Sequence, residues 1–455
     1  MNGKERVLAV LQHRQADRVP WVPFAGVHAG HLKKHTAEAV LKDGDKLFES
    51  LLAVNELYRP DGQPVVFDLQ IEAEILGCEL LWQDITPPSV VSHPLVSGVD
   101  LNSLELPGPE DGRLPIVLDV MRRMKSTVGE DTALYGLVTG PFTLASHLRG
   151  TELFMDMMLN PDAVSEIMVF CEAVCVRMCE LYIEAGMDVI AVVDPMVSQI
   201  GPDHFVQFCH VPLSRVFQRI RELDAYSAVF VCGNATRNVE GLCNTVPDCL
   251  SIDENIDIVS AKEITDRHGI AIAGNIPLTT TMLLGTQMDN MKHVVDRLDE
   301  ISHHNYIMSP GCDMPYDTPP ENVIGVAEAM RDTDAARKLL EGYSSDGFDI
   351  EVELPDYDHL ERTLVEVFTL DSAACAACMY MLNAAERGVG EFAGEVQMVE
   401  YKFTEPENIA RAMKLGVAQL PAIYINGQLR FSSLIPSNEE LVAAINDGGR
   451  RRIAS

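Results

Sequence analysis

Two pairs of cysteines stand where thiol chemistry could be done, and their spacings differ sharply. In "LDSAACAACMYML", residues 370 to 382, Cys375 and Cys378 are separated by two alanines. That close pair suits dithiol–disulfide exchange if a strand precedes it and a helix follows, because a helix N-terminus lowers the pKa of the first thiol. Cys375 would be the nucleophile and Cys378 the resolving thiol. The other pair, Cys232 in "VFVCGN" and Cys312 in "SPGCD", is far apart along the chain, so only a fold could bring it together. Two thiolates with a carboxylate or an imidazole make a zinc site with a position left open for substrate. Zinc would turn a bound thiol into a thiolate nucleophile near neutral pH. The plainer alternative is two small residues packed at strand ends.

The elements that would position these residues are legible as a repeat. From residue 20 onward, apolar runs alternate with longer helical stretches. The runs are "WVPFAG", "PVVFD", "ALYGLVTG", "DVIAVVD", "SAVFVCG", "CLSID", "IAIAGN" and "NYIMSPG", eight in all. Apolar strands alternating with helices indicate a parallel sheet covered on both faces. A count of eight predicts an α/β fold of the (β/α)8 TIM-barrel type, with chemistry at the carboxyl ends of the strands. A doubly wound sheet is the competing fold, but the first strand lacks the glycine-rich turn that it needs. Reading off the strand ends gives His28 after the first run, Asp68 after the second, Asp194 after the fourth and Cys232 with Asn234 after the fifth. Asp253 and Glu254 end the sixth, Asn275 ends the seventh, and Cys312 follows the eighth. Residues 71 to 132 are long for one barrel unit, and "GCELLWQD" with "PPSVVSHPLV" reads as a hairpin-like excursion.

Other motifs have bland readings. Cys171, Cys175 and Cys179 recur every fourth residue along one helix face, which is core packing. "DRHG" at 266 to 269 is read as the C-terminal cap of a helix.

Domain 1–343 would hold the barrel, 344–361 an acidic linker ("SSDGFDIEVELPDYDHLE"), and 362–455 a second, small α/β domain. Composition is compatible with two packed cores: 47% of the 455 residues are hydrophobic. The formal net charge of −33 argues against nucleic acid or anionic membrane surfaces as partners. No run has the length of a membrane span, and the start "MNGKERVLAVLQHR" is not a signal peptide, so a cytoplasmic protein is expected.

Several segments, taken together and in order, resemble the uroporphyrinogen decarboxylase superfamily. They are "GKERVLAVLQHRQADRVPWVPF", "FDLQIEAEILG", "VTGPFTLASHL", "VDPMVSQIGPDHF", "CGN", "SIDENIDI", "GNIPLTTTMLLGT" and "SPGCDMPYDTPPENV", over about residues 2 to 333. The resemblance implies a TIM barrel and one of two activities, porphyrinogen decarboxylation or corrinoid-dependent methyl transfer of the methylcobamide:coenzyme M type. The decarboxylases meet substrate carboxylates with arginines just after the first strand, and "VPWVPFAGVHAGHL" contains none. The methyltransferase branch carries His-x-Cys and a distant Cys as zinc ligands. Cys232 and Cys312 occupy those cysteine positions, and Glu254 falls where an acidic ligand could lie. Phe230 stands where the histidine should be, and His28 is the proposed substitute. The implied reaction moves a methyl group between a corrinoid, held by a separate partner protein, and a small thiol or pterin. Asp68, Asp194, Asn234 and Asn275 would orient substrate or handle protons. A barrel that only binds a tetrapyrrole or corrinoid is the non-catalytic alternative.

Residues 362 to 447 resemble the thioredoxin/glutaredoxin-like fold. There "AQLPAIYINGQL" supplies a cis-proline segment with Pro421 facing the disulfide of Cys375 and Cys378. The clients of that pair would be Cys232 and Cys312 themselves, or a corrinoid partner in need of reductive repair.

Overall fold

The computed structural model of the protein describes residues 1–344, 350–357, 359–370, 372, 376–392, 394–417, 420–432 and 435–453. Two compact units divide the chain, Met1–Tyr343 and Ser344–Ser455. Among the described residues no helix is long and apolar enough to cross a membrane.

The first unit is built on strands β1 (Gly62–Val66), β4 (Ala133–Thr139), β5 (Val189–Val193), β6 (Tyr226–Val231), β7 (Cys249–Ile252), β8 (Ala271–Ile276) and β9 (Tyr306–Pro310). They pair in chain order as one parallel sheet. "VIAVV" of β5 is buried at every position, as a strand with helices on one face and a filled barrel on the other must be. The interior is packed with aromatic rings. Phe230 lies 4.8 Å from Phe24 and 6.0 Å from Phe67, centroid to centroid. β2 (Leu80–Leu81) and β3 (Ser89–Val90) form an antiparallel ribbon in the expected excursion.

The expected first strand is reduced to a single parallel bridge between Trp21 and Met308. Its neighbours explain why. Pro20 and Pro23 lack an N–H, so the segment has few donors with which to extend a ladder. The bridge still closes the barrel. Val22 N donates to Met308 O at 3.0 Å on one side, and Asp61 N donates to Trp21 O at 2.8 Å on the other. The buried Asp61 carboxylate accepts from Trp21 N at 2.8 Å and pairs with Arg6 at 2.5 Å and Arg18 at 2.6 Å. The eight-stranded expectation therefore holds as seven strands and one closing bridge.

The second unit has a four-stranded mixed sheet, order β11 (Val396–Lys402), β10 (Thr363–Thr369), β12 (Ala422–Ile425), β13 (Gln428–Ser432). Alternation along β10 sends Val365 and Val367 toward Met381, Ala385 and Leu441, and Phe368 toward Ala412 and Tyr424. Residues read as linker pack on this unit: Lys414 Nζ donates to Val352 O at 2.7 Å, and the Tyr357 hydroxyl to Glu366 at 3.0 Å. The Leu420–Pro421 peptide bond is cis. Cys378 is buried in the helix Ala376–Gly390, and Leu370 N donates to its sulfur at 3.4 Å. Cys375 lies outside the described residues.

Asp61→Ala should destabilise the barrel by about 3–5 kcal/mol, because it leaves the buried Arg6 guanidinium short of a partner and unlatches Trp21. Both tryptophans, Trp21 and Trp82, lie in the first unit, so urea unfolding followed by tryptophan fluorescence reads the barrel alone.

Candidate functional site

The loops at the carboxyl ends of β6 to β9 bring Cys232 and Cys312 together. The two strands concerned are three steps apart along the sheet. Their cysteines nevertheless meet across the mouth with Cα atoms 5.9 Å apart, joined as a disulfide that rests on the barrel core. Each half is anchored to the loop after β7. Gly233, in the left-handed region at φ +85°, donates its N–H to Asp253 at 2.8 Å. Gly311 passes so close to Glu254 that a Cβ there would lie 2.7 Å from the Glu254 nitrogen. The sequence "GC" is thus a packing requirement at Cys312, since no larger residue fits before it.

Acids surround the pair. Burial pushes the carboxyl of Glu254 up to about 8, with Asp253 beside it adding to the rise, and Glu254 accepts from Leu278 N. Asp313, which follows Cys312, accepts from Gly26 N at 2.7 Å and is also pushed up to about 8 by burial. It keeps some solvent contact, so the burial that matters here is protein packed around the carboxyl rather than loss of all access. Asn275, near the end of β8, donates to the carbonyls of Asp253 at 3.0 Å and Ile256 at 2.9 Å, leaving its Oδ1 buried without a partner.

The remaining expected residues lie at strand ends but are engaged elsewhere. Asp68 pairs with Arg113 at 2.5 Å, and Glu74 takes the same guanidinium at 2.7 Å. Asp68 thereby ties the excursion to β1. Asp194 accepts from the Phe142 and Thr143 N–H groups at 3.1 and 2.8 Å and from the Thr143 hydroxyl at 2.6 Å. These are the first turns of the helix Pro141–Arg149, so Asp194 caps a helix from the neighbouring strand. Asn234 Oδ1 accepts from Thr236 and shapes its own turn. His28 is buried, and burial lowers its pKa to about 4, so it is neutral. Its Nδ1 faces the Tyr316 carbonyl at 3.0 Å and must donate, which leaves Nε2 to accept from the Tyr58 hydroxyl at 2.7 Å. Both ring nitrogens are therefore used. Sequence reading passed over Asp313, although it stands next to Cys312 in "GCD". It could not find Arg113, whose partners lie 45 and 39 positions away.

The bland readings agree with the structure. Cys171, Cys175 and Cys179 are fully buried, and Gly269 caps its helix in the left-handed region.

The sulfurs of Cys232 and Cys312 are bonded to each other and supply no thiolate. Phe230 occupies the barrel interior, and His28 has no unspent lone pair. As folded, the set does not fit zinc.

A uroporphyrinogen decarboxylase (URO-D) family model matches residues 2–333. The chain belongs to that family. A thioredoxin domain model matches residues 364–446. The methylcobamide:CoM methyltransferase MtbA of Methanosarcina acetivorans is 25% identical over 334 residues, 72% of this chain and 97% of that protein. Methylcobamide:CoM methyltransferase MtaA of Methanosarcina barkeri is 26% identical over 338 residues, 72% of this chain and 96% of its own length. A uroporphyrinogen decarboxylase of Anaeromyxobacter dehalogenans is 25% identical over 345 residues, covering 71% and 97%. Among solved structures, a methyltransferase from Methanosarcina mazei superposes with a TM-score of 0.68 at 24% identity. It covers 73% of this chain and 99% of its own, and it shares the barrel fold. The methyltransferase reading of the sequence is the one that the first two relatives support.

Burial raises the Asp194 carboxyl from 3.8 to about 6, against the opposing hydrogen bonds from Phe142 and Thr143. Between those values the native state holds a proton that the unfolded chain has lost, so this group's contribution to stability falls as pH rises from 4 to 6. Relative to Asp194→Asn, the wild-type barrel should lose on the order of 3 kcal/mol over that window, read by urea midpoints at pH 4 and pH 7.

Proposed function

We propose that this chain is a corrinoid-dependent methyltransferase that moves a methyl group between a methylated corrinoid, held by a partner protein, and a small thiol. A pterin is the second acceptor class. The observation that carries the reading is the character of the barrel mouth: a sulfur pair flanked by Asp253, Glu254 and Asp313. Such a mouth is a poor receptor for a porphyrinogen bearing many carboxylates. Arg113, the cation near Asp68, already has two carboxylate partners. Substrate carboxylates need cationic partners when they leave water, and the segment "VPWVPFAGVHAGHL" at the closing bridge contains no lysine or arginine.

The methyl carbon is attacked in line by the acceptor sulfur or nitrogen, and the carbon–cobalt bonding pair stays with the corrinoid, which is substrate here. The barrel positions the acceptor over the mouth and excludes water from the reacting atoms. A thiol acceptor gives up its proton; Glu254 and Asp313, whose carboxyls burial pushes up to about 8, hold their own protons at neutral pH and can take the thiol's only once pH rises through that value. The unpaired Asn275 Oδ1 is a free acceptor for a substrate N–H or O–H. A zinc-assisted form of the reaction requires both sulfurs as thiolates. Cys232, Cys312 and Glu254 would then offer three donors, with Phe230 in place of the fourth.

The test incubates the reduced full chain with methylcobalamin and a panel of thiols and folates. Acceptor-dependent loss of methylcobalamin with formation of the methylated product is expected. Absence of transfer, or turnover of uroporphyrinogen instead, would overturn the reading. Zinc per chain should be negligible in air-oxidised protein, and uptake should require prior reduction. His28→Ala is expected to leave that uptake unchanged because both ring nitrogens have partners. A lower occupancy would instead assign His28 as the nitrogen ligand in the fourth position.

A further inference from the structure

We infer that Cys232–Cys312 is a redox-modification site: a thioredoxin-type dithiol, the class carried in this chain's own second unit, opens the disulfide to two thiols, and a disulfide oxidant such as oxidised glutathione closes it again by taking up the two electrons. The inference concerns the bond itself and does not rest on methyl transfer.

Accessibility separates this pair from the other thiols of the barrel. Cys78, Cys171, Cys175, Cys179, Cys209, Cys243 and Cys249 are all buried. Burial pushes the thiols of Cys78 and Cys243 up to about 12 and raises those of Cys171, Cys209 and Cys249 well above the ordinary value. Such groups yield almost no thiolate and admit no reagent. Cys232 and Cys312 alone among the described barrel cysteines retain solvent contact, and they are the two that are bonded.

Geometry allows the bond to open and close without refolding. The Cα separation of 5.9 Å sits in the ordinary disulfide range. The contacts that set it involve neither sulfur. Asp253 holds the Gly233 N–H, Glu254 abuts Gly311, and Asp313 holds the Gly26 N–H. After reduction those contacts persist, so the two thiols stay opposite each other.

The exchange balances. A Cys375 thiolate, of the same or of another copy of the chain, attacks one sulfur of the pair, the Cys232–Cys312 bond breaks, and a mixed disulfide forms while the departing sulfur takes up a proton. Cys378 then attacks Cys375, releases the second barrel thiol and leaves a Cys375–Cys378 disulfide. Two electrons and two protons pass to the barrel. A small cellular thiol or a second dithiol regenerates the CxxC in the same way. In the disulfide form the mouth holds no thiolate, and in the dithiol form it holds two potential ones.

The experiment uses oxidised full-length protein, glutathione as electron source, and alkylation of new thiols read on the Cys232 and Cys312 peptides by mass spectrometry. Wild type should open the bond at least about tenfold faster than Cys375→Ser. With Cys378→Ser, which cannot resolve, a peptide linking Cys375 to Cys232 or Cys312 should accumulate. Equal rates in wild type and Cys375→Ser, without a trapped cross-link, would overturn the assignment of the reductant. Complete alkylation of Cys232 and Cys312 in oxidised protein before any reductant is added would overturn the disulfide. No corrinoid is present, so either failure is distinguishable from failure of the methyltransferase reading.

Discussion

The barrel depends on one buried carboxylate. A parallel barrel has no edges only if its first and last strands are joined, and here the joining segment carries prolines on both sides of its bridge. Asp61 supplies what the prolines remove. It receives the Trp21 N–H and holds two arginines, while its own backbone N–H bonds the Trp21 carbonyl. Charge burial of this kind is costly unless every lone pair is used. Three cationic or amide partners around one carboxylate meet that condition, and they include Arg6 of the N-terminal helix. The N-terminal helix is thus fastened to the closure, and the β9 end that carries Cys312 is held in register with the segment that carries His28.

The acids at the strand ends follow a related logic with a different outcome. Asp194, Glu72 and Asp253 point at backbone N–H groups of neighbouring turns, and Glu72 also takes the Thr139 hydroxyl at 2.7 Å. A carboxylate that accepts several such bonds is a structural clamp. Desolvation outweighs those bonds for each of the three, so their carboxyls sit above the ordinary range. Asp68 is different, because Arg113 neutralises it directly. With Glu254 and Asp313 held at about 8 by burial, the mouth carries less negative charge at neutral pH than its residue types imply. An acidic sequence can in this way present a site for an uncharged acceptor.

Sequence reading found the repeat, the strand ends and the two cysteine pairs because each has a local signature: apolar runs bounded by turns, and a thiol just beyond a run. It placed Cys232 and Cys312 on one face because parallel strands all end on the same side. What it could not reach were roles set by partners far along the chain. Asp194 reads as a catalytic acid at a strand end, and only the contact with Thr143 makes it a cap. His28 reads as a ligand until Tyr58 and the Tyr316 carbonyl consume its nitrogens. The weak first strand was foreseeable in principle from Pro20 and Pro23, but hydrophobicity and position outweighed them in the reading.

Phe230 gives the absent histidine a physical meaning. The residue two before Cys232 points into the barrel, where Phe24, Phe67 and Tyr135 also gather. An imidazole there would have to lie among aromatic rings or turn toward a metal at the mouth. A phenyl ring instead fills the interior and takes its packing energy outright, of the order of 2 kcal/mol for a fully buried large side chain. The exchange removes a nitrogen donor from the sulfur pair and leaves Cys232 and Cys312 facing each other across the top of an apolar plug. Two thiols held face to face, without a nitrogen donor to draw them onto a metal, are placed to form a disulfide with each other once an oxidant takes up their two electrons.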